Sequence, residues 1–109
     1  MPFKVAFLVR APEANPKTDI ATFKSKNIEV TSVAVELGNT AQTIQVCKDL
    51  VKQKGVQAIV LCPAVSYKLA SDISDAVSDK IAVFVARGDF NSINIAQQTI
   101  EEEWFANQG

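Results

Sequence analysis

The sequence predicts an α/β fold in which four β-strands alternate with four α-helices in a three-layer α/β/α sandwich. Three observations support this prediction. Short apolar runs of strand length recur four times along the 109 residues. The segments between them carry helix-capping residues or apolar residues at helical spacing. Apolar residues make up 48% and charged residues 21% of the chain, which is typical of a globular protein. We therefore expect residues 1–109 to form a single α/β domain.

The first strand is predicted at Lys4–Arg10, a continuous apolar run of the kind found in parallel strands covered by helices on both faces. Asn15-Pro16 has the pattern of an N-cap followed by proline at the first helical position. A first helix is therefore predicted from there to Asn27. It has few apolar residues, chiefly Ile20 and Phe23, so we expect it to be short and mostly exposed.

A second strand is predicted at Ile28–Val35, where interspersed polar residues are typical of an edge strand. The second helix is predicted to open at Gly38-Asn39-Thr40, with Asn39 as N-cap and Gln42 in the capping-box position. Gly55 is predicted to end this helix in the left-handed conformation. The buried stripe of the helix is predicted to be Ile44, Cys47, Leu50 and Val51.

The second half of the chain repeats the strand–helix pattern twice. A third strand is predicted at Val56–Cys62, ended by Pro63, and Ser66 is predicted to cap the third helix. A fourth strand is predicted at Ile81–Ala86, and the fourth helix begins near Asn91 or Ser92. The residues predicted to face the core from these two helices are Leu69, Ile73, Ala76, Val77, Ile93, Ala96, Ile100 and Trp104. Residues 106–109 are expected to be a frayed tail.

Right-handed crossovers between parallel strands favour the strand order 2-1-3-4, a flavodoxin-like or Rossmann-like arrangement. In this order the second and third predicted helices cover one face of the sheet, and the first and fourth cover the other. The last predicted strand would then be an edge strand without a charge or proline to protect it. We therefore expect a homo-oligomer that forms through this edge or through the adjoining Trp104-Phe105 surface.

Ligands of open α/β sheets bind beyond the carboxyl ends of the strands, where the strand order reverses. The order predicted here places that crevice between the first and third predicted strands. Arginines, helix N-terminal amides and hydroxyl groups at this position favour a small anionic ligand, a carboxylate or a phosphate. The candidate ligand-binding residues are Arg10, Asn15, Cys62, Ser66, Arg87 and Asp89.

Two alternatives to this site stay open. Both arginines could simply be solvated charges at the ends of strands. The protein could also be a self-association or protein-interaction module that uses its apolar edge strand and C-terminal helix, with no ligand chemistry.

The absence of histidine excludes several classes of enzyme and metal site. Ser-His-Asp and Cys-His nucleophiles, HExxH zinc sites and His-ligated haem all require a residue that this chain lacks. Cys47 is expected to be a packing residue. Cys62 could act as a nucleophile, but without a histidine to activate it we favour an inert thiol that packs as a small buried apolar residue. No catalytic residue, cofactor or metal is predicted, and whether the protein is an enzyme stays open, with binding alone favoured.

Charge and hydropathy bear on the partners and location of the protein. The formal net charge is −1, and the basic residues are dispersed, so we expect no nucleic-acid partner. No apolar run approaches the roughly 20 residues that cross a bilayer. The two cysteines lie in separate elements without disulfide or metal-ligand spacing. Together these features predict a cytoplasmic protein without a membrane partner.

Several short motifs resemble those of a small prokaryotic α/β family, the domain of unknown function numbered 6506. The motifs are Phe7-Leu8-Val9, Leu50-Val51 before Gly55-Val56-Gln57, Leu61-Cys62, Ala76-Val77 before Lys80-Ile81, and Val85 to Phe90. The resemblance spans the whole chain and implies a single α/β domain. It implies no reaction, because none is known for the family.

Overall fold

A computed structural model describes residues 1–87 and 90–105 of the chain. Its elements, in chain order, are β1 Phe3–Ala11, β2 Ile20–Lys24, β3 Ile28–Glu36, α1 Thr40–Lys54, β4 Ala58–Leu61, α2 Tyr67–Ala76, β5 Ala82–Val85, α3 Phe90–Ile100 and a π-helical segment, Glu101–Phe105. The predicted α/β class is confirmed. The prediction of four strands and four helices is wrong in detail, because the described residues form five strands and three α-helices. The predicted frayed tail, residues 106–109, lies outside them.

The five strands form one sheet in the order β2-β3-β1-β4-β5. Strand β1 is parallel to both β3 and β4, and β4 is parallel to β5, so the four predicted strands have the predicted order. Strand β2 pairs antiparallel with β3 at the edge. The predictions of a wholly parallel sheet and of an edge position for the second predicted strand, now β3, are therefore wrong.

Strand β2 replaces the predicted first helix because Asn15 closes only a local turn. Its Oδ1 accepts a hydrogen bond from the backbone N of Lys17 at 3.0 Å, and its carbonyl accepts one from Asp19 at 2.7 Å. The chain then becomes extended, and the hydroxyls of Thr22 and Thr31 hydrogen-bond across the β2–β3 pair at 2.9 Å. The β-branched residues of this stretch favour a strand over a short helix with few apolar residues to bury.

Helix α1 begins and ends as predicted. The Asn39 side chain accepts a hydrogen bond from the backbone N of Gln42 at 3.0 Å. Gln42 does not complete a reciprocal capping box, because its side chain instead accepts from the backbone N of Glu36 at 2.8 Å. At the other end Gly55 has φ 68° and ψ 30°, and its N–H donates to the carbonyl of Leu50. A left-handed residue at this position favours glycine, which has no Cβ.

The core lies between one face of the sheet and helices α1 and α2. Ser66 caps α2 as predicted, since its hydroxyl accepts a hydrogen bond from the backbone N of Leu69 at 3.1 Å. The buried cluster comprises Ala6, Leu8, Val33, Val35, Cys47, Leu50, Val56, Ile59, Leu61, Val65, Leu69 and Ile73. Of the stripe predicted for α1, Cys47 and Leu50 are buried, and Ile44 and Val51 are half-buried.

The other face of the sheet is not covered by a helix of the described residues, so the predicted three-layer sandwich is wrong. The segment predicted to form one covering helix is β2, and α3 chiefly contacts the π-helical segment that follows it. We call this surface the open face. The large side chains that it exposes are Phe3, Phe7 and Val9 of β1, Phe23 of β2, Ile28 of β3 and Phe84 of β5.

Within residues 1–87 and 90–105, the helices are all too short or too polar to cross a membrane.

Candidate functional site

The parallel strands bring their carboxyl ends to one rim of the sheet. Strands β1 and β4 are adjacent and parallel there, and the backbone N of Cys62 continues their ladder by donating to the carbonyl of Leu8 at 3.0 Å. Helices α1 and α2 begin just after β3 and β4, so both N-termini lie at this rim. The strand order reverses between β1 and β4, which is the geometry of ligand sites in open α/β sheets.

Arg10 is the unusual residue of this rim. It alternates along β1 with Ala6 and Leu8, which are both fully buried, so its side chain projects toward the face that α1 and α2 cover. Only 9% of Arg10 is exposed. Its Nε and Nη2 atoms are buried and have no hydrogen-bond partner in the described part of the chain. Neither ion pair formed within residues 1–87 and 90–105 includes Arg10.

The two unpaired atoms of Arg10 belong to the same edge of the guanidinium. Nε and Nη2 point their N–H bonds in parallel, and this edge matches the two oxygens of a carboxylate or phosphate. A buried donor without an acceptor destabilises a fold, and the penalty is larger for a charged group. Arg10 is therefore in an environment that is incomplete without an acceptor.

Arg87 lies on the other side of β4 and has partners within the chain. Its Nη1 donates to the carbonyl of Pro63 and its Nη2 to the carbonyl of Val65, both at 3.3 Å. Its Cζ lies 4.3 Å from the centroid of the Tyr67 ring, a cation–π contact. Arg87 thus holds the loop between β4 and α2 in place, and its hydrogen-bonding groups are partly occupied.

Cys62 and Ser66 lie at the two ends of the same β4–α2 loop. Cys62 is half-buried, and its carbonyl accepts a hydrogen bond from the backbone N of Val65 at 3.1 Å. The Ser66 oxygen caps α2, which leaves the hydrogen of its hydroxyl free to donate to another acceptor. This loop contacts Arg87 and follows the strand next to Arg10, so the structure brings these predicted residues to one rim.

Asn15 lies elsewhere. It borders a cleft of about 430 Å³ between the turn before β2 and helix α1. The polar and charged residues of this cleft are Asn15, Lys17, Gln42, Gln45, Asp49, Gln53 and Lys54. Sequence reasoning missed the cleft because it placed a helix where β2 lies. Asp89, the remaining predicted site residue, lies outside the described residues.

The cysteines are both free thiols. Burial raises the pKa of the Cys47 thiol to about 12, so this residue stays protonated and packed in the core at neutral pH. In the described ranges no group of three or more His, Cys, Asp or Glu side chains is arranged to hold a metal ion.

A family model described as a family of unknown function (DUF6506) matches residues 3–101. The chain belongs to this family. No curated protein and no solved structure matches the chain significantly.

Proposed function

Since membership of this family assigns no reaction, we propose from the geometry of the rim that the protein binds a small anionic metabolite, a carboxylate or a phosphate. The observation that carries the proposal is the buried, unpartnered edge of the Arg10 guanidinium. A ligand oxygen pair would supply the two acceptors that the described residues do not provide.

The surroundings of Arg10 favour an anion in two further ways. Helices α1 and α2, of 15 and 10 residues, begin at this rim, and the positive ends of their dipoles favour negative charge there. Ser66 can add a hydroxyl donor. The described residues place no carboxylate within ion-pair distance of Arg10 to compete for its charge.

Arg87 takes a supporting role in this proposal. Its bonds to the carbonyls of Pro63 and Val65 fix the β4–α2 loop, and so the α2 N-terminus, at the rim. The proposal assigns binding and positioning, and it names no catalytic residue. A cytoplasmic location belongs to the same proposal, supported by two cysteines that are both free.

A thermal-shift titration with inorganic phosphate and with succinate tests the proposal. Sodium chloride at equal ionic strength controls for screening. A ligand that binds only the folded state raises the melting temperature progressively with its concentration. We expect this rise in the wild type and in Lys80→Gln, which removes an exposed cation, and we expect no rise in Arg10→Gln. An equal response of Arg10→Gln, or an equal response to chloride, would refute the proposal.

The alternative expectation was a self-association module without ligand chemistry. The open face favours it, because this face exposes six large apolar side chains. The two functions use different surfaces, so they can be tested separately.

A further inference from the structure

The open face exposes a large apolar surface to solvent. Its four phenylalanines, Phe3, Phe7, Phe23 and Phe84, are between 43% and 59% exposed. At about 200 Å² for each aromatic side chain, they alone expose about 400 Å², a size at which the apolar patch of a protein is often a functional surface. Val9 and Ile28 extend the patch to more than half of the roughly 800 Å² that each partner contributes to a standard protein interface.

The face also carries few of the charges that protect a solvated sheet. Apart from Ser32 and from Glu36 at the carboxyl end of β3, the paired registers place only apolar residues on this face: Phe3, Val5, Phe7, Val9, Ala11, Ala21, Phe23, Ile28, Val30, Ala34, Ala58, Val60, Ala82 and Phe84. Depletion of charged residues distinguishes the core of an interface from the rest of a protein surface.

Helix α3 has the complementary property. Its sequence, Phe90–Ile100, contains no charged residue, whereas α1 and α2 each carry several. Residues 92–99 are nevertheless all exposed. Ile93, Ala96 and Ile100 line one side of the helix, while Ile95 lies about 200° around it on the other side. A helix with apolar residues on opposite sides is suited to burial between two surfaces.

The chain is more elongated than a compact domain, as expected if α3 does not pack on the sheet. The radius of gyration is 14.5 Å, compared with about 13 Å for a compact domain of this length. The longest dimension is 47 Å, and the other two are both 28 Å. Since α3 contacts chiefly the π-helical segment that follows it, we attribute the elongation to this helix, which is then available to a partner.

A single helix cannot cover the open face. A helix is about 10 Å wide, whereas strands of nine residues such as β1 and β3 are about 30 Å long. Helices α1 and α2 already pack on the opposite face, so α3 is the one α-helix left in the described ranges. Even folded back onto its own sheet, it would leave most of the phenylalanines exposed. A second copy supplies the missing second helix.

We propose that the protein is a homodimer in which two open faces enclose a shared layer formed by the α3 helices of both copies. This layer gives Ile93 and Ile95, on opposite sides of α3, a sheet to contact on each side. The inference is independent of the anion site at Arg10, because that residue lies on the helix-covered side of β1.

Light scattering coupled to size exclusion, at tens of micromolar, tests the dimer. We expect a mass of twice 11.8 kDa for the wild type. Phe7→Glu on the open face and Ile93→Glu on α3 should both give monomers, because each places a charge in the shared layer. Ser71→Glu, which adds the same charge to an exposed position of α2, should remain a dimer. Circular dichroism establishes that each variant is folded, and Val9→Glu replaces Phe7→Glu if the latter unfolds.

The fluorescence of Trp104 reports on the helical segment directly, because it is the only tryptophan of the chain. It is half-buried and packs edge-on against Phe105, with ring centroids 6.4 Å apart. We expect its emission to shift to longer wavelength in Phe7→Glu, as the layer is lost. A monomeric wild type, a dimer that survives either Phe7→Glu or Ile93→Glu, or Trp104 emission unchanged by Phe7→Glu would overturn the proposal.

Discussion

Replacing Arg10 by methionine should stabilise the protein when no anion is present. The substitution keeps an unbranched side chain of similar length but removes the charge and its unpaired N–H groups. Nε and Nη2 of Arg10 are buried without partners in the described residues, and 91% of the residue is inaccessible to solvent. In most proteins the loss of a buried arginine is destabilising, so an increase in stability would distinguish Arg10 from an arginine with partners.

The magnitude follows from the number of unsatisfied groups. Each buried donor without a partner costs about 1–3 kcal/mol, and replacing buried charges by apolar side chains stabilises proteins by about 1–4 kcal/mol. We expect Arg10→Met to raise the free energy of unfolding by about 2 kcal/mol, which is a rise of about 10 °C in melting temperature for a domain of this size. Urea unfolding and calorimetry in a Tris-chloride buffer free of phosphate and carboxylates measure it.

Arg87→Met is the matched control. Its guanidinium donates to two carbonyls and contacts the Tyr67 ring, so its loss removes favourable interactions. We expect Arg87→Met to lower the free energy of unfolding by about 1 kcal/mol. If Arg10→Met is destabilising to a similar extent, or still responds to phosphate, Arg10 is not an unsatisfied anion ligand and the reasoning fails.

Three further predictions concern the helices and the core. The pKa of the Cys47 thiol is about 12 in the folded protein and 9.0 in the unfolded chain, because burial disfavours the thiolate. Its contribution to the free energy of unfolding is therefore complete below pH 9.0 and declines above it. Between about pH 8 and pH 10 the wild type should therefore lose about 1.4 kcal/mol more stability than Cys47→Ala, measured by urea unfolding at both pH values, and equal losses would contradict this. Asn39→Ala should lower the free energy of unfolding by about 1 kcal/mol through loss of the α1 cap, and an unchanged urea midpoint would argue against that cap. Gly55→Ala should cost about 1–2 kcal/mol in the same assay, because alanine is strained at φ 68°. A Cβ at this position would make only ordinary contacts with the Lys4 side chain, at 3.7 Å from Nζ and 3.9 Å from Cδ, so a neutral result would be evidence against that strain.

The parts of the fold that the sequence predicted well are those fixed by local chemistry. Asn39 and Ser66 cap their helices because a short polar side chain before an apolar stripe has few other roles. Gly55 ends α1 because the left-handed region favours a residue without a Cβ. The order of the parallel strands followed from their apolar runs and the handedness of crossovers.

The errors arose where a local pattern was compatible with two structures. Asn15-Pro16 is a common helix start, but here it forms a turn. The two apolar residues Ile20 and Phe23 are compatible with one face of a short helix and also with a β-strand, so their spacing does not decide between the two. Tertiary pairing between β2 and β3, with Thr22 bonded to Thr31, decides for the strand. Once that segment is a strand, one covering helix is lost, and because α3 contacts chiefly the π-helical segment, the face stays open.

The candidate site shows a similar division. The sequence placed Arg10 and Arg87 at the same rim, which the strand order supports. It could not distinguish them, because the difference lies in long-range contacts. Arg87 reaches the carbonyls of Pro63 and Val65, more than twenty positions away, whereas Arg10 is buried beside strands that offer it no acceptor. Burial and hydrogen-bond satisfaction are properties of the folded chain.

The most direct measurement of the anion site uses the fact that the chain contains two arginines, Arg10 and Arg87. Their Nε–Hε groups give two signals in a ¹H–¹⁵N spectrum, which Arg10→Gln assigns by the loss of one. During titration with inorganic phosphate, the Arg10 signal should move progressively and reach a plateau, while the Arg87 signal stays within the shift caused by chloride alone. An Arg10 signal that does not move, or two signals that move together without saturation, would contradict the account.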